Sequence, residues 1–147
     1  MRRSPLLVLS LLACAVLSAC AYGRTKRIEV AQTKPGEQII TEEAIAQSGA
    51  STAWDVLKHA APHLHFREDR NGQPSRMWRR GRGSMVLNES PMVILDGIRV
   101  PDFRALDQIP ASTIQQISIL TGIEGTTYYG TNAMGGVILI RTKNGTT

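Results

Sequence analysis

The run Val137-Ile138-Leu139-Ile140, approached through Gly135-Gly136, constrains this chain more than any other segment. Four consecutive aliphatic residues, three of them β-branched, read as a largely buried strand. Such a strand needs sheet neighbours, because its backbone N–H and C=O groups have no water to bond. The two glycines before it point to a close backbone approach or a bulge, where a Cβ would clash.

The partners for that strand are legible upstream. Met92-Val93-Ile94-Leu95 and Ile98-Arg99-Val100 flank Asp96-Gly97, a dipeptide that tolerates the positive φ of a two-residue hairpin turn. Ile114 to Leu120 reads as a strand with Ile117 and Ile119 on one side and Gln116 and Ser118 on the other. Leu64-His65-Phe66 alternates as another, and Asn71-Gly72 marks a turn. Two short helices precede these strands. Thr41 caps the first, with Glu42 and Glu43 in its opening turn and Ser48-Gly49 at its end. Thr52 caps the second, Asp55 stands three residues on, Trp54, Leu57 and Ala61 share the inner face, and Pro62 stops it. Pro110 to Thr113 offers one further helical turn. The expectation is an α+β fold, a small mixed β-sheet with short helices against it. The 105 residues from Gln38 to Thr142 suffice for one modest core.

The N-terminus is of another kind. Arg2 and Arg3 precede an uninterrupted apolar stretch from Leu6 to Val16, the layout of a secretory signal peptide. The stretch is too short to span a bilayer, which takes roughly 20 residues. It ends in Leu17-Ser18-Ala19-Cys20, which resembles the lipobox of bacterial lipoproteins, where cleavage falls before the cysteine. The expected organisation is a signal peptide over 1–19, a polar tether over 20–37 containing Lys34-Pro35-Gly36, and a folded domain over 38–145. Cys14 leaves with the signal peptide, so mature Cys20 has no second thiol to pair with. The resemblance implies acylation of Cys20, with membrane lipid as its partner. Ala21 in the next position implies the outer membrane and a periplasm-facing domain.

Loss of Arg2 and Arg3 takes the net charge from +5 to +3. The remaining excess is concentrated: Arg67, Arg70, Arg76, Arg79, Arg80 and Arg82 face only Glu68 and Asp69 in one short stretch. An exported protein seldom meets nucleic acid, so anionic lipid, anionic glycan or an acidic protein groove are the partners this cluster suits, against the plain alternative of a solvated loop.

The order of motifs resembles the plug domain of TonB-dependent outer-membrane receptors. It runs through Ile39-Ile40-Thr41, Trp54-Asp55-Val56-Leu57, Arg80-Gly81, and Pro91 to Ile98 with Asp96-Gly97 at its turn. Ile109-Pro110, Leu120-Thr121-Gly122, and Tyr129-Gly130 through Gly135-Gly136 to Lys143 follow. The resemblance covers nearly all of residues 38–145. It implies a plug-like fold and an arginine of the Arg-Gly pair facing acidic groups on a barrel wall. Arg79, Arg80 and Arg82 are therefore candidate partner-binding residues, and Asp96, Gly97, Tyr129, Gly130, Gly135 and Gly136 are candidate structural positions. The sequence departs from the receptor pattern in carrying no barrel strands after the plug. Ile28-Glu29-Val30 is too generic to assign as a TonB-contacting box. The expectation is thus a lipid-anchored plug-like interaction module with a possible outer-membrane β-barrel as partner. An accessory lipoprotein that binds an anionic glycan or chelate is one alternative, and a truncated receptor remnant is another.

Chemistry is not expected. His59 and His63 have helix spacing for a shared metal, but Pro62 lies between them and His65 falls on a strand. Gly81-Arg82-Gly83-Ser84-Met85-Val86 places Val86 where a dinucleotide loop needs its last glycine. No nucleophile stands with a base in any familiar spacing. The expectation is a non-enzyme with no metal, no cofactor and no nucleic-acid partner.

Because its thiol is the acyl acceptor, Cys20→Ala should block cleavage before residue 20 and abolish acylation. Lipid still attached to the Cys20→Ala protein, read by mass spectrometry of the intact chain, would contradict the assignment.

Overall fold

A computed structural model describes residues 36–80 and 90–145; Cys20, the signal peptide, nearly all of the tether, Gly81, Arg82 and Gly83 lie outside the described residues. Strands β1 (Glu37–Thr41), β6 (Ile114–Leu120), β7 (Val137–Thr142), β4 (Met92–Leu95) and β5 (Ile98–Val100) form a five-stranded sheet in that order. The β4–β7 pair is parallel, with Met92 opposite Val137, and the other pairs are antiparallel. A separate two-stranded hairpin joins β2 (Leu64–Glu68) to β3 (Pro74–Arg79). The fold is mixed α+β, as the hydrophobic patterning requires.

The helices begin where their caps dictate. Helix α1 (Glu42–Ser48) has Thr41 Oγ1 accepting from the Ala44 N–H, and it ends at Gly49 with φ 68°. Helix α2 (Ala53–Ala60) has Thr52 Oγ1 accepting from the Asp55 N–H and stops at Ala61. A further helix, α3 (Gly122–Tyr129), carries little sequence signal: two glycines and two β-branched threonines disfavour it. Packing supplies the reason. A Cβ at Gly125 would stand 2.9 Å from the Ala133 carbonyl oxygen and 3.1 Å from Val137 Cγ2, so the helix lies closer to the following turn than any side chain would permit.

The sheet has cover on both faces. On one, Ile40, Val93, Ile117, Ile119, Ile138 and Ile140 pack against α1, α2, Met77 of the hairpin and Leu106 of a 3-10 segment, Phe103–Gln108. On the other, Ile94, Leu120, Val137 and Ala133 form a smaller cluster under α3. Ser118, read as outward-facing, is buried because β6 is an interior strand; its hydroxyl accepts from Gln116 Nε2 at 3.0 Å.

Two turns hold the central strands in place. Asp96 (φ 46°) and Gly97 (φ 84°) make the β4–β5 turn. The Asp96 carboxylate does more than turn the chain: it accepts from the Thr142 N–H and from Thr142 Oγ1, both at 2.8 Å, pinning the far end of β7. At the near end Gly136 has φ 97°, and a Cβ there would meet the Leu120 carbonyl oxygen at 2.7 Å. Its own N–H donates to the Ala133 oxygen and its oxygen accepts from Met92 N–H. Tyr129 ends α3, Gly130 (φ 77°) turns the chain after it, and Gly135 is buried beside Gly136.

Gly136→Ala should cost about 2–4 kcal/mol, from positive-φ strain together with displacement of Leu120. Gly97→Ala is the control, since its φ is similar but its Cβ would point into open space. Urea unfolding of both variants should place Gly136→Ala clearly lower; equal losses would mean that the contact with Leu120 contributes nothing.

Candidate functional site

The β2–β3 hairpin carries most of the charge asymmetry, and strand alternation sorts its side chains. Leu64, Phe66 and Met77 face the core, where Phe66 meets the buried Trp54 ring edge-on at 5.0 Å. His65, Arg67, Arg76 and Trp78 take the opposite face. His65 and Trp78 stack there at 5.4 Å, and Arg80 Nε lies 3.4 Å from His65 Nε2. Arg67 stands directly across from Arg76, a like-charge pairing that weakens a sheet.

The acids that should neutralise this face are engaged elsewhere. Glu68 Oε1 accepts from Trp54 Nε1 at 2.9 Å and from Lys58 Nζ at 2.8 Å. Those bonds, that from Lys58 foremost, hold the Glu68 carboxyl below its ordinary 4.5 and push Lys58 above its ordinary 10.5. Asp69 accepts from the backbone of Asn71 and Gln73 in the hairpin turn and pairs with Arg104 at 3.4 Å. The backbone bonds are the main reason its carboxyl also lies below the ordinary range. Arg67 and Arg76 therefore have no side-chain ion pair among the described residues.

The candidate arginines do not share one surface. Arg80 belongs to the outer face, whereas Arg79 turns towards the main sheet and lines a cleft of about 160 Å³ with His63, Gly36, Glu37 and Ile119. Arg82 lies outside the described residues. The histidines diverge as well: His59 Nδ1 bonds the Asp55 carbonyl oxygen, His63 lines the cleft and His65 stacks on Trp78. Among the described residues no three His, Cys, Asp or Glu side chains converge as a metal site. Strand β3 and the His65–Trp78 stack were the features that sequence reading missed. The Asn71-Gly72 turn, with one strand before it, was the signal that a returning strand follows.

The TonB-dependent receptor plug domain family matches over residues 29–137. The chain belongs to that family. This plug domain is 32% identical over 108 residues, 71% of the chain, to the vitamin B12 transporter BtuB of Vibrio vulnificus, and spans 17% of that protein. It is 23% identical over 132 residues to the TonB-dependent receptor SusC of Bacteroides thetaiotaomicron, covering 84% of the chain and 13% of SusC. In three dimensions it resembles the ferric enterobactin receptor PfeA of Pseudomonas aeruginosa, with TM-score 0.59, 23% identity, and coverage of 77% of the chain and 18% of the receptor. The RagAB peptide importer gives TM-score 0.57 at 21% identity, over 78% of this chain and 14% of the matched one. These structural likenesses establish the fold. The chain spans less than a fifth of the relatives it matches, and the shared portion is the plug of transport proteins, not an enzyme domain.

The lowered Glu68 carboxyl contributes stability that is present above pH 4.5 and lost as pH falls through its folded value. Lys58 contributes below pH 10.5 and loses that contribution as pH rises through its raised value. Both groups are more than a third exposed, so the pair is worth only about 0.5 kcal/mol. In unfolding curves taken as a function of pH, Glu68→Gln should flatten the loss below pH 4.5. An unchanged slope would assign the acid sensitivity to other carboxyls.

Proposed function

We propose that this plug domain serves TonB-dependent uptake as a non-enzymatic module, held at the periplasmic face of the outer membrane by acylated Cys20. Its outer hairpin face docks against an acidic surface of a β-barrel supplied by a separate polypeptide. The observation that carries this reading is the charge left unneutralised on that face among the described residues: Arg67 lies opposite Arg76 with Arg80 nearby, while Glu68 and Asp69 are bound by other groups. A fold that sets like charges side by side bears a small repulsion, which a partner's carboxylates would relieve. Arginine suits this role because its planar fork bonds a carboxylate at two points and keeps its charge when partly desolvated. Arg82, two residues beyond Arg80, extends the same candidate set.

Lipid anchoring rests on the Leu17-Ser18-Ala19-Cys20 motif placed directly after the apolar stretch. An acylated N-terminus holds a plug at the membrane by itself, which a plug covalently joined to its barrel does not require. The accessory-lipoprotein reading, with an anionic glycan as ligand, draws support from the stacked His65 and Trp78 rings, since aromatic faces flanked by arginine suit acidic sugars.

Breaking a buried arginine–carboxylate contact costs about 2–5 kcal/mol. The full chain carrying Arg76→Glu and Arg80→Glu should therefore lose most of a co-purifying barrel from detergent-solubilised membranes at low salt, while unfolding at a urea midpoint no lower than that of wild type, since a glutamate at position 76 would face Arg67. Equal recovery of the barrel with wild type and double variant would remove this face as the docking surface. Retention of an acidic glycan without any barrel would favour the accessory-lipoprotein reading.

A further inference from the structure

The cleft between the hairpin and the main sheet is separate from the docking face. Leu64, Ile119, Leu120 and Pro91 line the cleft with apolar groups, and two potential cations, Arg79 and His63, line it as well. The Arg79 residue is half-buried, and its side chain has no hydrogen bond or ion pair among the described residues. His63 is also half-buried, and burial first, then the neighbouring Arg79 charge, depresses its pKa below the ordinary 6.5. Glu37 is the acidic residue lining the cleft, and it forms no ion pair with Arg79. A partly desolvated guanidinium is costly to leave unpaired, as it is among the described residues, and a carboxylate is the group whose geometry matches it.

Size decides what part of a ligand can enter. Sites that enclose a whole small molecule run from about 300 to 1,000 Å³. At about 160 Å³, this cleft has room for one anchoring group. Arg79 together with the aliphatic lining residues matches a carboxylate on a short hydrocarbon stem.

We propose that the Arg79–His63 cleft is a binding site for a carboxylate on a short aliphatic stem, as in a glutamate side chain or a free dicarboxylate. The stem lies on Leu64 and Ile119, and the carboxylate meets the Arg79 guanidinium beside the His63 ring. Glu37, which also lines the cleft, opposes a second negative charge close to the first, so a carboxylate is favoured over a phosphate dianion or another compact polyanion. This inference stands without the docking reading, because Arg79 lines the cleft while Arg80, the next residue, stays on the outer face of the hairpin.

The test uses the full chain in detergent micelles and follows the His63 ring resonances by NMR. Glutarate and the capped tripeptide acetyl-Ala-Glu-Ala-amide are the probes, and glutaramide is the neutral control. Both acids should produce a saturable His63 shift, and glutaramide none. Tighter binding of the tripeptide would identify a protein side chain as the natural source, and tighter binding of glutarate a free acid. Arg79→Gln should weaken binding at least tenfold, Arg79→Lys should retain part of it, Glu37→Gln should strengthen it, and Arg80→Gln should leave it unchanged. The Lys variant preserves the charge and keeps the test valid if the Gln variant unfolds. No saturable shift with either acid, or equal affinity in wild type and Arg79→Lys together with Arg79→Gln, would overturn the site. A lower unfolding midpoint for Glu37→Gln without stronger binding would show that Glu37 serves Arg79 as an internal counter-ion, and would overturn it as well.

Discussion

The structure depends on strand β7 being interior in every direction. It pairs with β6 on one side and β4 on the other, and its side chains alternate into two hydrophobic clusters. Every other element follows from that demand. The α1–α2 pair and the hairpin cover one face, α3 covers the second, and each β7 end is fixed by a turn that few sequences could supply. Gly136 brings the chain against the Leu120 carbonyl, where a side chain has no room, and the Asp96 carboxylate holds Thr142 at the other end. Burial of the Ile and Val side chains contributes on the order of 2 kcal/mol each, but only with these two ends in register.

A second constraint shapes the surface. The hairpin is tied down by its acids: Glu68 binds Trp54 and Lys58, and Asp69 closes the turn and holds Arg104. Using both carboxylates internally fixes the hairpin on the core and leaves the arginines of the outer face without counter-ions among the described residues. Structural rigidity and an unsatisfied surface charge thus have the same origin. The end of the hairpin divides its arginines between two environments, since Arg79 lines the cleft while Arg80, just past β3, stays outside.

The elements legible in the sequence were those written in local chemistry. Thr41 and Thr52 announce helix starts, Asp96-Gly97 a tight turn, and Val137 to Ile140 a buried strand, because caps, positive φ and aliphatic runs act over a few residues. Helix α3 was not legible: Gly122, Gly125, Thr126 and Thr127 are poor helix formers, held in helical form by contact with residues near 133–137. Strand β3 was missed because its charged and aromatic residues have no clean alternation until its partner β2 is known. The charge cluster was visible as composition. That Arg79 and Arg80 point apart, and that Glu68 and Asp69 are already committed, are facts of tertiary structure.

The central claim is that the outer hairpin face, and not the turn at Ala111–Thr113, meets an outer-membrane barrel. Site-specific photocrosslinking in intact cells addresses it directly, with a photoreactive phenylalanine analogue replacing Trp78 in one strain and the exposed Ser112 in another. The account predicts a barrel-protein adduct, identified by mass spectrometry, from position 78 and none from position 112. The same adduct from both positions, or a barrel adduct from position 112 alone, would contradict it.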